Sequence, residues 1–286
     1  MSIVTDVISV TNDLGEGPIW YPEENALYWV DIGRAEVFRF RPETGEQNVC
    51  ALDSVVSALG IWSEQKFAAA TESGFSVLRT KDPGLARIDH FLEGEHGARL
   101  NDAKVGPGGR FWAGMLHESR KNGVLYCLCP DGSVREADIE LVAPNGLDWT
   151  PGGETIYITD SRRGAIIEFD FDVSTGALSG RRIFAEVPEG EGVPDGLTVD
   201  ANGSVWSVRF QGGSVARYDP RGQVETSIDL PVACPTSCAF GGKHLDNLYV
   251  TSSRAHTPPS ERTELDGSVL CLDTGVQGTK SFRYAS

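Results

Sequence analysis

The chain has 286 residues, 40% of them hydrophobic, which is enough to bury a sizeable core. Its formal charge of −16 at pH 7 argues against non-specific binding to nucleic acid or to an anionic membrane surface. No apolar run approaches the ~18–20 residues of a membrane span, and Met1-Ser2-Ile3-Val4-Thr5-Asp6 shows no basic segment followed by an apolar one, so the sequence reads as a cytoplasmic protein.

The 33 Gly and 15 Pro, against 2 Met, suit many short strands joined by tight turns. In chain order, residues 3–10 alternate apolar and polar before any other strand pattern begins. β-Branched and aromatic runs then follow at 26–31, 67–71, 110–115, 155–160, 204–209 and 247–252. A second strand follows most of these, at 36–40, 124–129, 165–170, 214–218 and 268–272. Turn clusters such as Gly106-Pro107-Gly108-Gly109 and Pro151-Gly152-Gly153 precede the first runs, and Pro130-Asp131-Gly132 follows a second. No long amphipathic helix is present. Residues 253–266, with Pro258-Pro259 and several charges, read as a surface loop near a strand end. Without a secretory signal, the six cysteines read as reduced thiols rather than a disulfide framework.

The pattern repeats. Trp20, Trp62, Val105, Trp149, Val199 and Phe240 are each preceded four places earlier by Glu16, Ala58, Asn101, Asn145, Asp195 and Thr236, at intervals of 42, 43, 44, 50 and 41 residues. A repeat near 40–45 residues with strand-rich content marks a β-propeller blade. The expectation is therefore an all-β, six-bladed β-propeller occupying residues 1–286 as one domain. Each repeat opens with a turn-like segment, and the strand at 3–10 completes the blade of Tyr249 and Val269 so that no edge stays unpaired. Equivalent positions in a propeller share one ring around the channel, so Glu16, Asn101, Asn145 and Asp195 are expected to converge at one mouth. A ring of carboxylate and amide oxygens suits a hard divalent cation; the competing reading is that these are turn residues ahead of strands.

At these residues the chain resembles the gluconolactonase, regucalcin (senescence marker protein) and luciferin-regenerating enzyme family. The resemblance rests on Leu14-Gly15-Glu16-Gly17-Pro18, Arg99-Leu100-Asn101-Asp102-Ala103-Lys104, Pro144-Asn145-Gly146-Leu147, Pro194-Asp195-Gly196-Leu197 and Thr236-Ser237-Cys238-Ala239-Phe240-Gly241-Gly242, in the family's order and spacing. It implies one divalent metal held by Glu16, Asn145 and Asp195, with Arg99 and Asn101 facing a substrate that in many members is a sugar-acid lactone. Two departures bear on substrate identity. Ala103 stands where the family often has Gly, and Gly114-Met115-Leu116 stands in place of a Gly-Thr-Met string, with Glu118 the nearest candidate for the acidic substrate contact that follows it.

Lactone hydrolysis needs a polarised carbonyl, an activated water and a stabilised oxyanion. Asp195 is the candidate for both ligand and general base. Arg99 has two readings, a donor to substrate hydroxyls or a structural ion pair. All-oxygen ligation suits Ca²⁺, Mg²⁺ or Mn²⁺, with Zn²⁺ or Fe²⁺ also compatible. The five His fall outside the ligand phase, and no Ser-His-Asp or Cys-His motif is present. The expected partner is a small sugar lactone, the chain being a monomer or weak homo-oligomer. Phosphotriesterase-like hydrolysis and a non-catalytic metal-binding propeller are the alternatives.

Overall fold

The structure, a computed structural model, describes residues 3–81, 84–117 and 122–285. Strands are numbered in chain order. β1 (Val4–Ile8) precedes blade one, which is β2 (Gly15–Tyr21), β3 (Ala26–Asp31), β4 (Glu36–Arg41) and β5 (Glu46–Ala51). Blade two is β6 (Val56–Ser63), β7 (Lys66–Thr71), β8 (Phe75–Arg79) and β9 (Leu85–Asp89); blade three is β10 (Ala98–Gly106), β11 (Arg110–His117), β12 (Val124–Leu128) and β13 (Val134–Glu136). Blade four is β14 (Pro144–Trp149), β15 (Thr155–Asp160), β16 (Ala165–Phe171) and β17 (Leu178–Glu186); blade five is β18 (Val193–Val199), β19 (Val205–Phe210), β20 (Ser214–Tyr218) and β21 (Val224–Asp229). Blade six is β22 (Pro235–Gly241), β23 (Asn247–Ser252) and β24 (Val269–Asp273), with β1 as its fourth strand. Among the described residues the one helical turn is the 3₁₀ segment Ser161–Arg163, and no helix is long and apolar enough to cross a membrane.

Each sheet is four-stranded and antiparallel, a sequential meander in every blade but the sixth. The first strand of every blade packs against the first strands of both neighbours, β2 on β6, β6 on β10, and so round to β22 on β2. That closed circuit makes them the channel wall of a six-bladed β-propeller. The second strands bury nearly every residue because both faces are covered by adjacent blades: Trp29, Trp112 and Trp206 are all sealed there. Burying a large apolar side chain contributes about 1.5–3 kcal/mol, so these layers carry most of the blade-to-blade adhesion. Outer strands such as β5 are exposed and polar. The expected closure is present: β1 pairs antiparallel with β24, Val7 opposite Leu270 and Ile8 opposite Val269.

One expectation is corrected. The openings read as turn-like are themselves strands, the inner ones. Their Pro and Gly residues mark a defect in pairing rather than its absence. Every inner strand slips register against its neighbour near its start, between Glu16 and Ile19, Val56 and Ala58, Leu100 and Ala103, Pro144 and Leu147, Pro194 and Leu197, and Pro235 and Cys238, and β6 slips again between Ile61 and Ser63. β-Bulges of this kind re-aim side chains, and they are common beside active sites.

The chain beyond β24 crosses the channel end opposite these bulges. Ala201 N–H donates to Gln277 O and Gly278 N–H to Leu245 O, both at 2.8 Å, while Tyr284 N–H donates to Ile61 O at 2.7 Å and Ala285 N–H to Gly109 O at 2.8 Å. The Tyr284 hydroxyl donates to Cys129 O at 2.7 Å, and its ring meets Trp62 edge-on, centroids 4.7 Å apart. The tail thus ties blades five, six, two and three across the far face. Residues 279–282 line the bottom of a channel cavity of about 50 Å³, whose upper walls include Asp102, Lys104, Asp148 and Thr198.

Candidate active site

Glu16, Asn101, Asn145 and Asp195 occupy the bulges at the head of β2, β10, β14 and β18. All but the half-buried Asn145 are at most 9% exposed. The small residue after each ligand candidate keeps the ring tight. A Cβ on Gly146 would lie 2.3 Å from Leu197 N, and one on Gly196 would lie 2.3 Å from the Ser237 hydroxyl. Only glycine lets each inner strand approach the next so closely at the level of the site.

The structure brings the expected residues together. The Asn145 amide nitrogen donates to Asp195 Oδ1 and, at 3.1 Å, to Ser161 Oγ. Ser161 Oγ in turn donates to Pro194 O at 2.8 Å. Gly17 N–H donates to Glu16 Oε2 at 3.2 Å. Arg99 donates from one terminal nitrogen to Asn101 Oδ1 at 2.7 Å and to Leu100 O at 3.1 Å, and Asn101 Nδ2 donates to Pro144 O at 3.4 Å. Among the described residues the Arg99 hydrogen bonds go to an amide and a carbonyl at the mouth, while the Glu16 and Asp195 charges act on it from nearby. Glu118 lies outside the described residues.

Electrostatically the mouth is short of positive charge. Burial, then the charges of Asp195 and Asp102, push the Glu16 carboxyl well above the usual carboxylate range. Burial and then Asp102 do the same to Asp195, against the pull of Arg99 and the Asn145 hydrogen bond. Burial pushes Asp102 up to about 6, opposed chiefly by Lys104, and burial lowers Arg99, opposed by Glu16 and Asp195. Glu16, Asp102 and Asp195 outnumber Arg99 by two charges. The pair below them, Lys104 Nζ to Asp148 Oδ2 at 2.7 Å, is neutral. One divalent cation would balance that excess. The donor set, two carboxylates and an amide oxygen, fits a hard cation; among the described residues no group of three His, Cys, Asp or Glu side chains assembles for a metal.

Sequence reasoning missed the residues that hold this ring from behind. Asp31, at the end of β3, is fully buried and accepts from Asp13 N–H at 2.8 Å and Leu14 N–H at 3.0 Å, three and two residues ahead of Glu16. Asp160, at the end of β15, is equally buried and accepts from Val142 N–H and Ala143 N–H, both at 2.9 Å, at the same offsets from Asn145. Each has an arginine three residues on, Arg34 at 3.7 Å and Arg163 at 3.2 Å. The shared spacing Asp31-x-x-Arg34 and Asp160-x-x-Arg163 was the available signal. Lys104 and Asp148 were missed as a channel pair, although Asp102 and Lys104 alternate on one strand face. The loop at 253–266 sits at the rim on the mouth side: Ser253 Oγ donates to Asp13 O at 2.6 Å, and the His256 ring meets Phe210 edge-on at 5.5 Å.

The fold and the site together define a six-bladed propeller with an acid-and-amide ring at one mouth of its channel. The chain belongs to the SMP-30/gluconolactonase/LRE-like family, whose model matches residues 14–254. It is similar to pentonolactonase XacC of Haloferax volcanii, 35% identical over 98% of this chain and 97% of that one. Regucalcin of Gallus gallus is 34% identical over 95% of each. Among solved structures, regucalcin of Agrobacterium tumefaciens, described as a calcium-binding protein, superposes with a TM-score of 0.92 at 27% identity, over 98% of this chain and 97% of that one.

Proposed function

We propose that this protein is a metal-dependent lactonase that hydrolyses the ring ester of a sugar acid to the free acid. The observation that carries the reading is the gathering at one mouth of Asn145, bonded to Asp195, and Glu16, which feels the Asp195 charge, in a buried acidic setting beside Arg99 and Asn101. Support also comes from the lactonase name borne by the Haloferax relative and the calcium-binding description of the Agrobacterium structure.

Glu16, Asn145 and Asp195 would hold the cation, which when bound supplies Lewis acidity toward the lactone carbonyl and its developing oxyanion. Asp195 accepts the proton of the attacking water as its oxygen bonds to the carbonyl carbon. The ring C–O bond then breaks and the departing oxygen takes that proton back from Asp195, so one water is consumed, one hydroxy acid appears and the carboxylate is restored. A carboxylate beside a cation is a weak base, so Asp195 works through placement more than basicity. Arg99 and Asn101, joined by their 2.7 Å hydrogen bond, present donors to substrate hydroxyls.

The test is a pH-indicator assay over five- and six-membered aldonolactones, using metal-stripped protein with Ca²⁺, Mg²⁺, Mn²⁺, Zn²⁺ or Fe²⁺ added back, against a blank without enzyme. Acid release restored by a cation is the expected result. Cation binding without turnover on any lactone would overturn the reading and turn attention to phosphotriesters or to a non-catalytic role.

A further inference from the structure

We propose that Ser161 is a positioning residue that decides which end of the Asn145 amide faces the channel. The proposal rests on the reading of Asn145 as a cation ligand and extends it to a residue outside the ligand set.

An asparagine can present either its oxygen or its NH₂ to a site, and only the oxygen can ligate a cation. Here the choice follows from donors and acceptors alone. Pro194 O lies 2.8 Å from Ser161 Oγ, and a carbonyl can only accept, so the single Ser161 hydroxyl proton is spent there. Ser161 Oγ is left only its lone pairs for Asn145, so Asn145 must offer it an N–H, at 3.1 Å. The second N–H goes to Asp195 Oδ1, an acceptor when ionised. With both amide protons committed, Oδ1 of Asn145 is the end left to face the channel.

The fold places Ser161 for this task. It directly follows Asp160, whose buried carboxylate grips Val142 N–H and Ala143 N–H, and its own N–H donates to Ala143 O at 3.0 Å. Blade one builds the same frame: Asp31 grips Asp13 N–H and Leu14 N–H, and Ile32 N–H donates to Leu14 O at 2.9 Å. The residue after the aspartate is there an isoleucine. Its site residue is Glu16, whose two carboxylate oxygens are equivalent and need no such choice. The hydroxyl is present in the blade whose ligand can be turned the wrong way. It also ties β14 to the Pro194 carbonyl of β18, one residue before Asp195, so a single side chain sets both the aim of one ligand and its spacing from the next.

The experiment compares Ser161→Ala and Ser161→Thr in the full chain, with Ca²⁺ alone titrated calorimetrically into metal-stripped protein and melting temperature followed in parallel. Partners that orient metal ligands typically cost about 10- to 100-fold in affinity when removed. Ser161→Ala is expected to weaken Ca²⁺ binding by about that factor, and Ser161→Thr, which keeps a hydroxyl, is expected to restore most of it. A lowered melting temperature with unchanged Ca²⁺ affinity in Ser161→Ala would overturn the proposal, since it would reduce the hydroxyl to a structural contact. Equal losses in Ala and Thr would overturn it too. If the unsubstituted chain binds neither Ca²⁺ nor Mn²⁺, the metal reading itself has failed, and that failure is seen before any variant is made.

Discussion

Blades two and six share the bulge of blades one, three, four and five but not its chemistry. At the equivalent position blade two carries Ala58, fully buried, whose Cα would lie 3.2 Å from a Cβ on Gly17. Blade six carries Thr236, whose hydroxyl donates to Gly15 O and lies 2.9 Å from the Thr251 hydroxyl. Both flank blade one and spend their side chains packing it in place, while the other blades turn oxygen toward the channel. The bulge therefore belongs to the architecture, a consequence of curving six strands round an axis. The residue set into it is a separate choice, and the same geometry serves as a binding position or as a wedge.

That division can be broken most sharply at Asp195. Asp195→Asn keeps the shape and removes a ligand charge and the proposed base; kcat on the preferred lactone is expected to fall by about 10³-fold or more, with the melting temperature held. Activity like the unsubstituted protein's would end the assignment. Arg99→Ala is expected to act next, raising KM by about 10- to 100-fold with kcat nearly unchanged if Arg99 binds ground and transition states alike; a fall confined to kcat would move it into the chemical step.

A pH series sharpens the comparison at the level of charge. In the metal-free fold Glu16, Asp195 and Asp102 hold protons more tightly than an ordinary carboxylate does, Asp102 to about 6. Their protonation favours the metal-free fold at low pH, and that stability is lost as pH rises through the raised values. A bound cation would replace those protons, so the gain in melting temperature on adding Ca²⁺ is expected to grow from pH 5 to pH 8. A constant gain across the range would separate the acids from the cation. The smallest effect is expected in a wedge: Thr236→Val removes a donor to Gly15 O and should cost about 1–2 kcal/mol of stability in chemical denaturation, with activity changed no more than a few-fold. A loss as large as that of Asp195→Asn would erase the distinction between the two kinds of blade.

The second strands and the site phase were legible because each leaves a local mark. Runs such as residues 26–31 and 155–160 coincide with β3 and β15, and the Trp and Val anchors count off the blades. The inner strands were misread because Pro144-Asn145-Gly146 and Pro194-Asp195-Gly196 carry turn residues, and a bulge uses the same residues as a turn. Outer strands such as β5, exposed and polar, have no apolar alternation to betray them. Asp31, Asp160 and Ser161 were out of reach for a different reason. The backbone groups of the site segments that the two aspartates grip, and the Asn145 that Ser161 meets, lie 16 to 18 residues away, and the nearby arginines mark the aspartates without stating which distant backbone they will hold.

The tail laid across the far face makes the channel a blind well. A through-pore lets traffic move in one direction, with arrival and departure independent. A blind well has one doorway, so under the proposed chemistry every acid formed must back out past the next lactone waiting to enter. Accumulated acid would then compete with lactone for the same opening. Its carboxylate would leave along a wall of like charge, where repulsion favours departure over return.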